Sequence, residues 1–220
     1  HAVETDLTVT NSGTITGSIL KASSITLINE TEGLVQGGSL LDVDQLINGG
    51  SITAATLSEI GQTRITGDLR QLSSGGLVFD YDAMGISDLI TIDGDTDLDG
   101  TITMNVVQIQ QPGTGRYSVQ VLTTAGNLSA DDLVLTSSAV AQYEHQVNAS
   151  DIQVSYNIDF ANDSIMSGTS SNQSVVASHL QGVYQAAALG NDDGARLIAL
   201  EEVEDYASAM NTLGAEVLID

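Results

Sequence analysis

At 220 residues the chain is long enough for one large domain, or for one domain with a smaller appendage. Hydrophobic residues make up 41% and charged residues only 15%, which admits a buried core and excludes wholesale disorder. Twenty-nine acidic residues against five basic ones leave a net charge of -24, which repels nucleic acid and anionic membrane surfaces alike.

There is no cysteine, so disulfides and thiolate metal sites are ruled out. No stretch approaches the roughly 20 apolar residues of a membrane helix, so no membrane insertion of this chain is expected. The start, His1-Ala2-Val3, has no basic or apolar leader pattern, and any export signal is expected outside this sequence. Six Tyr, two Phe and no Trp predict a core of Ile, Leu, Val and small residues, suited to thin, stacked structure.

The first 70 residues carry a loose repeat. Gly13-Thr-Ile15-Thr-Gly17 returns as Gly33-Leu-Val35-Gln-Gly37 and again as Gly50-Ser-Ile52-Thr-Ala54, at intervals of 20 and 17 residues. Leu27-Ile28-Asn29 returns as Leu46-Ile47-Asn48 after 19. Two different short strands therefore recur at a similar period, each with a brief apolar/polar alternation. That spacing predicts a solenoid whose rungs bury their inward residues only against their neighbours. A parallel β-helix fits best, with a β-sandwich as the alternative.

From Gly75 to about Phe160 the strands lengthen. Leu77–Tyr81 alternates, and Leu89–Ile92 and Thr101–Val106 follow. The one proline, in Gln111-Pro112-Gly113-Thr114-Gly115, predicts a turn before the strand Tyr117–Leu122. Asp151–Ile158 is apolar at even numbers, so one face is buried and one is wet.

After Phe160 the period changes. Ala161–Ser171 reads as a polar linker, and Asn172 as the cap of a helix whose stripe is Val175, Val176, Leu180, Val183, Tyr184 and Ala187, stopping at Gly190. Asp192-Asp193 opens a second helix through Leu197, Leu200 and Val203, extended by Tyr206, Ala209, Met210 and Leu213 to Gly214. The fold class expected is mainly β with a short α-helical tail.

Two stretches carry a family resemblance. One is Gly75–Ile102, with its Ser87-Asp88 pair and Leu98-Asp99-Gly100-Thr101 strand, followed by Gly115-Arg-Tyr117 through Leu122-Thr-Thr-Ala-Gly126. The other is Ser171-Asn172-Gln173 with Leu213-Gly214-Ala215-Glu216. Their order and spacing over residues 74–216 resemble the membrane-proximal end of a bacterial autotransporter passenger, of the type V secretion family. Gly214-Ala215-Glu216 departs from the usual Leu-Ser-Gly-Glu ending. The resemblance implies right-handed parallel β-helix rungs over 1–73, a β-sandwich-like autochaperone cap over 74–160, and a linker with a helical segment over 161–220. An outer-membrane barrel would follow. It further implies export across the inner membrane, exposure at the bacterial surface, and the chain's own passenger and barrel as partners.

Residues 93–100 read Asp-Gly-Asp-Thr-Asp-Leu-Asp-Gly, close to the start of a calcium loop. Counted from Asp95, residues Asp97, Asp99 and Gly100 fall at the third, fifth and sixth positions, but the twelfth is Val106, which offers no side-chain oxygen. As strand, Asp93, Asp95, Asp97 and Asp99 share one face while Leu98, Ile102 and Met104 take the other. The reading is therefore a solvated strand face and hairpin turn, with calcium at these four aspartates as the competing assignment.

Asp80, Asp82 and Asp88 could pair as catalytic carboxylates, but the first 115 residues hold only Lys21, Arg64 and Arg70, none in an evident acid cluster. They are expected at turns and strand edges. His145 is expected on an exposed strand or loop and His179 packed on the helix stripe; neither has a partner at ligand spacing. No nucleophile elbow or phosphate loop is present. No catalytic residue and no cofactor are assigned.

The expected role is a structural stem and folding nucleus, not an enzyme. Its packing core is Leu77, Phe79, Leu89, Ile92, Leu98, Ile102, Val119, Val121 and Tyr156. An adhesin that binds surface ligands or self-associates is the alternative. A polysaccharide-acting enzyme ranks third, for want of a basic catalytic residue.

Overall fold

Short alternating segments of Ile, Val, Leu and Thr form fifteen strands in one large sheet, followed by a short helical tail; the computed structural model describes residues 6–21, 23–109 and 115–217. The Pro112 turn lies outside the described residues. Strand β1 (Leu7–Asn11) pairs in parallel with β3 (Ile25–Asn29), β3 with β5 (Gln45–Asn48), and β5 with β8 (Asp68–Gln71). This first column continues into the start of β11 (Thr96–Gln108) and ends at β13 (Leu128–Leu135). A second column stacks β2 (Thr14–Ile19), β4 (Leu34–Leu41), β6 (Ser51–Thr53), β9 (Gly76–Asp82) and the rest of β11. The third runs from the end of β4 through β7 (Gln62–Ile65) and β10 (Leu89–Ile92) to β12 (Tyr117–Thr124).

Every pairing in these columns is parallel, and the sequence repeat is their register. Ile15 stacks on Val35 and Val35 on Ile52, followed by Leu77, Ile102 and Leu135. Leu27-Ile28-Asn29 lies beside Leu46-Ile47-Asn48 in the same way. Such a stack has a physical basis: an inward aliphatic side chain is covered from both neighbouring passes, and burying each one contributes about 1.5–3 kcal/mol. No pass could bury its own face alone.

Among the named strands of the described residues, the direction reverses only at the C-terminal end. β15 (Asp151–Ile158) joins β12 antiparallel, and β14 (Ala141–Val147) joins β15 antiparallel. Parallel pairing therefore runs across residue 74 without a break and on to β13, so the expected sandwich-like segment 74–160 is antiparallel only in its last part. Period-two alternation reports burial, not strand direction, and could not locate this reversal.

The tail differs from expectation in three places. The supposed linker contains α1 (Asp163–Gly168), capped by Asn162, whose side chain accepts from the N–H groups of Ser164 and Ile165. Helix α2 (Ser171–Gln185) is capped by Ser170, not Asn172, because Ser170 and Gln173 close a reciprocal capping box. The second helix is two, α3 (Asn191–Ile198) and α4 (Val203–Val217). Burial on α2 falls on Ala177 and Tyr184, whereas Val175 is 69% exposed; Phe160, whose ring centroid lies 5.4 Å from that of Tyr184, helps decide which stripe is covered.

The tail docks on the sheet. A Cβ added at Gly194 of α3 would lie 1.7 Å from Ile109 Cδ1, so any larger residue there must displace the Ile109 side chain. Ala139 N–H donates to Leu200 O at 2.8 Å, and Tyr206 Oη donates to Phe160 O at 3.0 Å. Among the described residues no helix is long and apolar enough to cross a membrane.

Candidate functional site

Two stacks of polar side chains run along the parallel columns, and the aspartate-rich stretch belongs to one of them. The turns carrying Asp44, Gly67-Asp68, Gly94-Asp95 and Gly126-Asn127 succeed one another. Asp44 accepts from Ile25 N–H at 2.7 Å, Asp68 from Asp95 N–H at 2.8 Å, and Asp95 from Asn127 N–H at 2.8 Å. In the last two, a turn's carboxylate caps the backbone donor of the turn above it. Glycine is required by close approach: a Cβ at Gly94 would lie 2.2 Å from Asp68 Oδ1, and one at Gly67 would lie 2.1 Å from Asp44 O. Lys21 contacts Asp44 at 2.7 Å, and this bond, with the N–H bond, pulls the Asp44 carboxyl down to about 2.

The four aspartates are thus separated in role. Asp93 pairs with Arg64 at 2.6 Å, Asp95 caps the next turn, Asp97 faces Arg70 at 3.9 Å, and Asp99 stands in register with Asp132. Leu98, Ile102 and Met104 are buried on the opposite face, as the alternation requires. The expected hairpin is instead a stacked turn between parallel passes. Among the described residues no three acidic or histidine side chains converge as metal ligands.

The second stack is an amide ladder that the sequence reading missed. Asn11 Nδ2 donates to Asn29 Oδ1 at 2.7 Å, Asn29 Nδ2 to Asn48 Oδ1 at 2.8 Å, and Asn48 Nδ2 to Gln71 Oε1 at 3.3 Å. Gln71 Nε2 then reaches the Asp99 carbonyl. All four side chains are buried. The signal was present in the asparagine that closes each Leu-Ile-Asn copy.

Asp82 ends β9 and Asp88 directly precedes β10, at the ends of strands as expected, whereas Asp80 lies within β9; Asp80 and Asp88 are fully buried, and Asp82 nearly so. Asp88 Oδ1 accepts from Gly61 N–H at 2.6 Å and Oδ2 from Asp80 N–H at 2.9 Å, while Asp80 Oδ1 accepts from Asn105 Nδ2 at 2.6 Å. Asp82 folds back on the N–H groups of Met84 and Ile86. Burial pushes the Asp88 carboxyl up to about 6 and raises Asp80 as well. The carboxylates serve as acceptors that hold the segment before Gly61 and the Asp82–Asp88 loop onto the sheet.

Of the expected packing core, Leu77, Phe79, Ile92, Leu98, Ile102, Val119, Val121 and Tyr156 are buried. Leu89 is only half-buried, and Ile90 takes the interior position, as strict alternation with Ile92 demands. Tyr156 belongs to an aromatic group at the join of parallel and antiparallel strands: Tyr81 and Tyr156 have ring centroids 4.4 Å apart, and Tyr81 and Tyr143 hydroxyls are 2.8 Å apart. Burial raises all three phenols, Tyr143 to about 12. His145 is exposed as expected, and His179 is exposed too, on the uncovered side of α2 rather than packed.

No protein-family model matches this sequence, and a search of curated proteins returns no significant match.

Proposed function

We propose that this chain is the structural stem and intramolecular folding nucleus of an autotransporter-type passenger. In this reading its columns wind as a right-handed parallel β-helix, and the antiparallel strands with their docked helices cap its C-terminal end at the cell surface. The observation that carries the proposal is the run of parallel passes, which ends where β15 and β14 reverse direction and the tail covers Ile109 and Phe160. Asp82 and Asp88 accept from backbone donors and Asp80 Oδ1 from the Asn105 side chain, and the reading assigns these carboxylates structural work and no catalytic step. Passenger and outer-membrane barrel are the partners it assigns.

Folding kinetics of the full chain test the nucleus. Ile102→Val and Ile152→Val lie in the C-terminal passes, Ile52→Val and Ile65→Val in the earlier ones, and each removes one buried methyl for about 0.5–1.5 kcal/mol. The first pair is expected to slow folding, with φ of about 0.5 or more, and the second mainly to speed unfolding. Equal or reversed φ-values would sink the nucleus.

A further inference from the structure

We infer that the groove between β13 and β14 is a docking site for an extended, basic segment of a partner protein, taken up as an added strand on the free edge of β13. The groove measures about 650 Å³ and lies between Leu133–Leu135 on one side and Ala141–His145 on the other. Among the described residues each wall is the last strand of its series: β13 pairs only with β11, and β14 only with β15. The N–H of Thr136 donates to Ile102 O, so by alternation the N–H groups of Leu133 and Leu135 point away from β11, toward the open edge. An extended peptide is the ligand that satisfies such a row of donors and acceptors.

Side chains set the chemistry of that peptide. Leu133 is buried, Leu135 is half-buried and Val134 is 58% exposed, so apolar residues are called for beside all three. A bulge next to them places Asp131 and Asp132 together on the exposed side, with Asp132 in register with Asp99. All five basic residues of the chain lie in the described part; Lys21, Arg64, Arg70 and Arg116 pair with other acids, and neither Asp131 nor Asp132 has a cation within ion-pair distance among the described residues. The acidic bulge repels a second copy of this chain, which carries -24, and favours lysine or arginine. The base of the groove is fixed, since Ser138 Oγ and Ala139 N–H both bond to the tail.

The test uses the full chain and a fluorescein-labelled eight-residue peptide alternating lysine and valine, with glutamate replacing lysine in the control, read by fluorescence anisotropy. The lysine peptide is expected to bind at one-to-one stoichiometry and the glutamate peptide not to bind. Leu135→Pro removes one outward N–H and leaves the Thr136 bond in place; it should weaken binding about tenfold, the scale of one backbone hydrogen bond. Asp131→Asn with Asp132→Asn should weaken binding about threefold or more, as expected for exposed charge pairs. Amide exchange at Leu133 and Leu135 should slow when the peptide is added to the unaltered chain, a readout that stands even if Leu135→Pro does not fold. No binding, several peptides per chain, or unchanged exchange at those two amides would overturn the assignment.

Discussion

Asp80 and Asp88 exchange two hydrogen bonds: Asp80 N–H donates to the Asp88 carboxylate at 2.9 Å, and Asp88 N–H donates to the Asp80 carbonyl at 2.8 Å. Both carboxyls are raised by burial, Asp88 to about 6 from an ordinary 3.8. The folded state therefore binds protons more readily than the unfolded one, so stability gained by protonation is absent above about pH 6, grows as pH falls, and is complete below pH 3.8. For Asp88 the gain is at most about 3 kcal/mol. Asp44 acts in the opposite sense: its contribution is present above 3.8 and lost as pH falls toward about 2. Urea midpoints should rise between pH 8 and pH 5 and fall again below pH 4. Asp88→Asn should flatten the rise, which separates this pair from general relief of self-repulsion in an acidic chain.

Asn29 sits mid-ladder, bonded to Asn11 and Asn48 and to the carbonyls of Gly33 and Ser51. Asn29→Leu removes three donated bonds and leaves the buried Asn48 Oδ1 without its ladder donor, at about 1–3 kcal/mol for that unmet group, while the Gly33 carbonyl keeps the Ser51 N–H. A loss of about 2–3 kcal/mol is expected. Asn11→Leu, at the end of the stack with one ladder neighbour, should cost less than half as much in the same chemical melts.

Much of the columns was legible in the sequence, because Ile15, Val35 and Ile52 and the two Leu-Ile-Asn copies land in register; the ladder was not, because its end members Asn11 and Gln71 stand outside the Leu-Ile-Asn copies. Alternation also identified the interior of β9, β11 and β15. It failed at Asp80, an outward position by period, because the loops before Gly61 and after Asp82 fold across that face; burial there depends on segments remote in sequence. On α2 the stripe holds at Val176, Leu180, Val183 and Tyr184 and fails at Val175, which is exposed, while Ala177 takes a buried position outside it.

Docking of the tail rests on small contacts that can be removed singly. Tyr206→Phe deletes the bond to Phe160 O and leaves a buried carbonyl short of a donor, for an expected loss of about 1–2 kcal/mol. Gly194→Ala places a methyl within 1.7 Å of Ile109 Cδ1 and should loosen α3. Amide exchange in 191–198 would then accelerate while β1–β10 keep their protection; unchanged exchange would mean that the helix does not depend on this seat.

The aspartate stretch makes the last prediction. Asp95 accepts from both the backbone N–H and Nδ2 of Asn127, at 2.8 and 3.0 Å, whereas Asp97 has only the distant, exposed Arg70 at 3.9 Å. If the acids served calcium, the two would be equivalent ligands and both substitutions would abolish a calcium effect. As a stacked turn they are unequal: Asp95→Ala should cost about 1 kcal/mol, the scale of a lost cap, and Asp97→Ala about 0.5 kcal/mol or less. Thermal midpoints should not move between chelator and millimolar calcium, although a site filled to a hundred times its Kd would add about 2.7 kcal/mol. A calcium-dependent shift lost equally in both variants would restore the metal site and remove the turn as the reason for the alternation.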